Sequence, residues 1–136
     1  MSVAKFLVVD DDPLVRATVA ATLQRAKHAV LQAGDGEQAL KVLDREPVDI
    51  VVSDILMPEI DGIGLILALR KRHPQFKIIA MSGGGRTGNT DYLRMAAELG
   101  ASRILPKPFT PAQLLQAVDE VLAMPPGSQA QGGGKP

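Results

Sequence analysis

The feature that most constrains this chain is an alternation of two kinds of segment. Five short apolar runs, Phe6–Val9, Ala29–Gln32, Val48–Ser53, Phe76–Met81 and Ser102–Leu105, are separated by stretches whose apolar residues recur at helical spacing. Strands that alternate with helices imply right-handed βαβ crossovers and a parallel sheet covered on both faces. The runs are nearly continuous in apolar residues, as strands buried on both sides are. The expected fold is therefore α/β: a doubly wound, five-stranded parallel sheet with helices on both faces.

The intervening segments carry helix punctuation. Asp12 is a good N-cap and Pro13 suits the first helical position, where its missing N–H costs nothing. Val15, Val19, Leu23 and Ala26 then share one face of a helix reaching about Lys27. Asp35 followed by Gln38 resembles a capping box, with Ala39, Leu40 and Leu43 inward and a stop at Glu46-Pro47. Asp61-Gly62 opens a third helix through Arg72, closed by His73-Pro74. Tyr92, Met95, Ala96 and Leu99 mark a fourth, capped by Gly100. Thr110, Pro111 and Gln113 start the last helix, whose inner face carries Leu114, Leu115, Val118, Val121 and Leu122. His28 and His73 fall at helix ends and are expected at the surface. The Tyr92–Met95–Leu99 stripe reads as core packing.

A chain of 136 residues fits one domain that buries roughly two thirds of its unfolded surface. Its 15 basic and 15 acidic side chains lack the basic excess of a nucleic-acid binder, so no direct nucleic-acid contact is expected. Without cysteine there is neither a disulfide framework nor a thiolate metal site. No apolar run approaches the roughly 20 residues that span a bilayer, and the first residues do not form a signal peptide. A cytoplasmic protein without membrane contact is the expectation. Residues 1–123 read as one domain, and 124–136, dominated by Pro, Gly and Gln, as a disordered tail or linker stub. The chain is expected to be either a stand-alone protein or one domain of a larger one.

The residues just past the strands form a chemically coherent set. Asp10 and Asp11 follow the first run, Asp54 the third, Ser82 the fourth and Lys107 the fifth. Parallel strands finish on one edge, where ligands bind beside the point at which strand order reverses. An order placing the first strand beside the third brings three carboxylates together, and these need a cation to stay ionised. An all-oxygen cluster suits Mg²⁺, which typically keeps waters and a phosphate among its ligands. Lys107 and the Ser82 hydroxyl supply a counter-charge and a donor for an anion beside the metal. A carboxylate can also act as nucleophile towards phosphorus. The residues thus point to a metal-assisted phosphoryl-acceptor site. The bland alternatives are an acid-rich helix N-terminus at Asp10–Asp12, a turn former at Asp54, loop chemistry at Ser82 and a solvated charge at Lys107.

Phe6-Leu7-Val8-Val9-Asp10-Asp11, Ser53-Asp54-Ile55-Leu56-Met57-Pro58 with Asp61-Gly62, Met81-Ser82-Gly83 and Lys107-Pro108-Phe109 resemble the receiver domain of two-component response regulators. The resemblance spans about residues 3 to 123, with the motifs in order. It implies the flavodoxin-like strand order 2-1-3-4-5 and a phosphoryl group taken onto Asp54 from the histidine of a sensor kinase or a histidine phosphotransfer protein. It further implies Mg²⁺ held by Asp11, Asp54 and the backbone carbonyl of Leu56, with Asp10 acting through water. Ser82 and Lys107 would contact phosphoryl oxygens, and a cis peptide would precede Pro108. The loop after strand 4, starting at Gly83, would move on phosphorylation and shift a conformational equilibrium that controls a downstream protein. The face of the fourth helix, fifth strand and last helix serves dimerisation or partner binding in many relatives, so a homodimer through it is an alternative.

Some positions depart from the family pattern. Ile104 stands where many relatives carry an aromatic switch residue. Leu56 and Gly84 offer no polar side chain to position an attacking water, which implies slow self-dephosphorylation. The resemblance thus implies a switch and not a metabolic enzyme. Three other readings compete. A phosphatase of the haloacid-dehalogenase type needs a general acid at Leu56, which cannot transfer a proton. A P-loop between Gly83 and Thr90 lacks its lysine, with Asn89 in that place. A pseudo-receiver, binding partners without phosphorylation, would not need the full acidic set.

Overall fold

All five apolar runs fold as strands: β1 (Lys5–Val9), β2 (Ala29–Ala33), β3 (Ile50–Asp54), β4 (Lys77–Ser82) and β5 (Arg103–Pro106). They form one sheet in the order β2-β1-β3-β4-β5, with every neighbouring pair parallel. The computed structural model describes residues 4–54, 67–68, 71, 77–82 and 101–124. Val9 lies opposite Ala33 on one side and Ser53 on the other, while Asp54 faces Met81 and Ser82 faces Pro106. This register brings the strand ends to a common edge.

Successive strand residues point to opposite faces, and each face has its own core. Leu7, Val9, Val51, Ile78 and Ala80 pack with Ala39 and Leu43 of α2 (Gly36–Arg45). Phe6, Val8, Ile50, Val52, Ile79 and Met81 pack with Val19 and Leu23 of α1 (Pro13–Arg25) and with Leu114, Ala117, Val118 and Val121 of α3 (Pro111–Leu122). The expected covering of both faces is thus present. Full burial of each larger side chain contributes about 1.5–3 kcal/mol relative to exposure.

Helix starts follow the expected chemistry. The Asp12 carboxylate accepts from the N–H groups of Leu14 and Val15, with Pro13 in the first turn. Thr110 and Gln113 form a complete capping box at α3. At α2 only half the box forms. Asp35 accepts from the Gln38 N–H, but the Gln38 side chain accepts from Gly34, one residue before the cap. The extended Asp35 backbone leaves the Gly34 N–H within reach.

Several boundaries shift for physical reasons. Asp54 and Ser82 close their strands instead of following them, because the ladder continues to Met81 and Pro106. β3 starts at Ile50; just before it, the Asp49 N–H donates to the Lys5 carbonyl and the Asp49 carboxylate accepts from the Lys5 N–H, both at 2.8 Å. α1 ends at Arg25, two residues early. Lys27 adopts φ 76°, and the N–H groups of Lys27 and His28 return to the carbonyls of Gln24 and Leu23 at 2.9 and 3.1 Å. This is a Schellman termination with lysine in the left-handed position that usually belongs to glycine.

One expectation is corrected. His28 is not at the surface: it is 8% exposed, its Nδ1 accepts from the Ala4 N–H at 3.0 Å, and its ring lies edge-on to Phe6 at 4.8 Å. An N–H at the start of β1 needs an acceptor, and the imidazole supplies one. Of the expected third helix, Leu67, Ala68 and Lys71 are described and helical. The rest of that helix, His73, Leu56, the segment from Gly83 to Gly100 and the tail from residue 125 lie outside the described residues.

Candidate functional site

The point where strand order reverses lies between β1 and β3, and the carboxyl ends of these two strands carry Asp10 and Asp54. The Asp10 N–H extends the sheet ladder to the Ala33 carbonyl at 3.2 Å, so this carboxylate is fixed at the strand edge. Asp10 is fully buried and Asp54 is 5% exposed, whereas Asp11 is exposed. Carboxylate oxygens of Asp10, Asp11 and Asp54 all lie within 4.8 Å of one another.

Buried carboxylates at this spacing repel, and the end of β5, two strands away from β3, supplies partial relief. The Nζ of Lys107, just past β5, donates to Asp10 Oδ2 at 3.0 Å and to Asp54 Oδ2 at 3.2 Å. The other Asp10 oxygen, Oδ1, accepts from the Asp12 N–H at 2.9 Å. Burial opposes the charged form of Lys107, but the negative charge of Asp54, together with the hydrogen bond and charge of Asp10, outweighs it and raises the ammonium's pKa. Lys107 is thus held protonated between two carboxylates, and the Lys107–Pro108 peptide is cis, as the resemblance implied.

The donor set fits Mg²⁺. Three carboxylates are hard oxygen ligands, one exposed and two rigidly placed, which leaves room for the waters this ion retains. Three clustered carboxylates outnumber the Lys107 ammonium that bridges two of them, and a divalent ion at this edge relieves the repulsion among them.

The other expected site residues are placed unevenly. Ser82 closes β4 on the same edge, opposite Pro106 in β5; its side chain, Leu56 and Gly83 lie outside what is described. Ile104 is half-buried in β5, pairs with Ala80 and packs against the α2-side core. No aromatic rotamer can operate there. One further residue reaches the site without a distinctive signal in the sequence: Arg16, in the first turns of α1, whose Nη1 donates to the Asp10 backbone carbonyl at 2.6 Å.

Comparison with known proteins agrees with this geometry. Residues 6–119 match the family model described as the response regulator receiver domain. The chain is 37% identical to a probable chemotaxis protein CheY of Rhizobium etli over 125 residues, covering 89% of this chain and 96% of that protein. It is 40% identical to the sensor kinase CckA of Brucella abortus over 121 residues, but these span 88% of this chain and 12% of the kinase. Among solved structures, chemotaxis protein CheY4 of Vibrio cholerae superposes with a TM-score of 0.81 at 30% identity, over 88% of this chain and 99% of that one.

Proposed function

Given that this chain belongs to the response regulator receiver-domain family of two-component signalling, whose members accept a phosphoryl group, we propose that Asp54 is the acceptor and that its modification switches the domain. The observation that carries this reading is the position of Asp54. It ends the central strand, almost buried, with an ammonium at 3.2 Å and two further carboxylates beside it. In water such a carboxylate is a weak nucleophile, but here its orientation is set in advance by the sheet and by Lys107.

In the proposed step, a phosphohistidine of a sensor kinase or histidine phosphotransfer protein approaches the open edge. An Asp54 oxygen forms a bond to phosphorus, the P–N bond breaks, and its electron pair returns to the imidazole. Asp10, Asp11, Asp54 and the Leu56 carbonyl would hold Mg²⁺, with Asp10 acting through water. When bound, the ion neutralises the carboxylates and the phosphoryl oxygens. Lys107 then exchanges a carboxylate partner for a phosphoryl oxygen, and the Ser82 hydroxyl donates to another. The loop beginning at Gly83 responds, and Ile104 packs without an aromatic rotamer switch. Asp54 is regenerated by slow hydrolysis, so the domain works as a timer and not as a metabolic enzyme.

Residues 1–123 are proposed as the phospho-accepting domain and 124–136, by composition, as a linker or tail. Among the described residues no helix is long and apolar enough to cross a membrane. A cytoplasmic location and an unidentified downstream protein complete the reading, with a homodimer through the face of the expected fourth helix, β5 and α3 as the alternative output. Family membership does not favour the phosphatase or pseudo-receiver readings.

Intact-mass spectrometry after incubation with acetyl phosphate and Mg²⁺ tests the proposal. A gain of one phosphoryl group, absent from Asp54→Asn and from metal-free samples, is the expected result. Phosphorylation that survives Asp54→Asn would overturn the assignment. So would the absence of any mass gain together with spectra unchanged by beryllofluoride and Mg²⁺.

A further inference from the structure

Arg16 is not needed to describe the acidic cluster, yet it makes a short contact to the segment that carries Asp10 and Asp11. Its Nη1 lies 2.6 Å from the backbone oxygen of Asp10, the carbonyl of the peptide that leads into Asp11. The Asp10 side chain is already secured, by Asp12 on one oxygen and Lys107 on the other. What Arg16 secures is therefore the Asp10–Asp11 peptide plane, and with it the direction in which the exposed Asp11 leaves the backbone.

A second observation places Gly34 directly beside this contact. A Cβ at Gly34 would lie 3.4 Å from Arg16 Nη1 and 3.5 Å from Gln38 Oε1, so the guanidinium passes directly over a residue without a side chain. The Gly34 N–H is in turn held by Gln38 Oε1 at 2.9 Å. Arg16 thus ties the start of α1 to the Asp10–Asp11 turn, and the β2–α2 connection at Gly34, held by Gln38, lies against its guanidinium.

We infer that Arg16, seated over Gly34, is a positioning residue for Mg²⁺ binding, acting through the Asp10 carbonyl to aim Asp11 at the cluster. This role rests on the reading of Asp10, Asp11 and Asp54 as the metal site. Two effects of the guanidinium oppose each other. Its positive charge disfavours a nearby cation, while its hydrogen bond fixes a ligand's orientation. Side chains that orient metal ligands typically change metal affinity by about 10–100-fold when removed. An exposed carboxylate near water feels the fixed charge weakly, so orientation dominates.

Isothermal titration calorimetry with Mg²⁺ alone distinguishes these effects. Arg16→Met is expected to raise the Mg²⁺ Kd about tenfold, and Arg16→Lys, whose ammonium can still donate to the carbonyl, to recover part of the loss. Gly34→Val leaves Arg16 in place but fills its seat, and is expected to reproduce the weakening. Thr18→Ala removes a side-chain bond to the Leu14 carbonyl on the same helix and is expected to leave the Kd unchanged, separating positioning from general loosening of α1. An unchanged or lower Kd in both Arg16→Met and Gly34→Val would overturn the role. If wild type shows no Mg²⁺ heat, or its heat survives Asp11→Asn combined with Asp54→Asn, the metal site itself falls and this role falls with it. Normal wild-type binding with insensitive Arg16 and Gly34 variants would remove only the positioning role.

Discussion

The two edges of the sheet are both polar, but they treat their polar groups in opposite ways. At the amino edge, demands are met by partners from other elements. The Ala4 N–H bonds His28, the Lys5 N–H bonds Asp49, and the Lys5 ammonium pairs with Glu46. Lys77, at the start of β4, donates to the carbonyls of Val121 and Met124 at 3.1 and 2.6 Å and closes the end of α3, whose last turn has no basic residue. At the carboxyl edge, three carboxylates converge on one ammonium. Like charges gathered at one strand edge are characteristic of a site that binds a ligand. The contrast is quantitative and can be broken from either side.

The largest effect is expected at Lys107. Lys107→Met leaves the carboxylates of Asp10 and Asp54 without their shared ammonium. Removing one partner of a buried pair costs about 3–5 kcal/mol, and partial exposure of Lys107 places this case at about 3 kcal/mol. Urea unfolding of the metal-free protein measures it, and added Mg²⁺ should restore more stability to the variant than to wild type. The pH dependence has a definite sign. Because the folded pKa of Lys107 is raised, its contribution is fully present below the ordinary lysine value of about 10.4 and is lost as pH rises through the folded value. Wild type should therefore weaken in alkali, above that ordinary value, in a way that Lys107→Met does not.

A change at the amino edge should cost less but offer no functional return. His28→Ala removes the acceptor of the Ala4 N–H and the ring contact with Phe6. An unsatisfied buried donor costs about 1–3 kcal/mol, and water entering the space left by the ring limits the loss to about 2 kcal/mol. The variant should unfold at lower urea concentration yet still accept a phosphoryl group. Loss of acceptance in a folded His28→Ala protein would mean that the two edges are coupled.

Asp54→Asn should act in the opposite direction on stability. Neutralising Asp54 removes repulsion from two carboxylates within 4.8 Å and weakens its attraction to Lys107 at 3.2 Å. With energy falling as the inverse of distance, these two repulsions outweigh the attraction to Lys107. Desolvation of a buried carboxylate adds to the gain. The metal-free variant is expected to be about 1 kcal/mol more stable than wild type, while losing phosphoryl acceptance. A destabilised Asp54→Asn would show that the carboxyl edge is built for stability after all.

The same contrast explains what could be read in advance. Asp10, Asp54 and Lys107 were legible because each punctuates an apolar run, and a parallel sheet must bring such ends to one edge. The strand order itself came from resemblance to a family, since periodicity cannot say which strands are neighbours. His28 and Lys77 were not legible. Their partners, Ala4 for one and Val121 with Met124 for the other, lie 24 to 47 residues away, and no local pattern distinguishes such a group from a solvated one. Arg16 was hidden for the same reason: a basic residue on a helix near the surface is ordinary until the Asp10 carbonyl is seen beneath it.

The smallest expected effect tests whether any of this depends on local backbone economy. Lys27 holds the left-handed position of the α1 terminus at φ 76°, where a Cβ crowds the following carbonyl. The turn delivers His28, just before β2, with its Nδ1 on the Ala4 N–H and its ring against Phe6. Glycine adopts this conformation without the crowding but adds freedom to the unfolded chain. Relief of strain of about 1–2 kcal/mol is therefore partly cancelled, and Lys27→Gly is expected to stabilise by about 0.5 kcal/mol. A thermal midpoint one or two degrees higher, with unchanged phosphoryl acceptance, would confine the strain to the amino edge. A lower midpoint would mean that the stem of Lys27 contributes more by packing than its backbone loses.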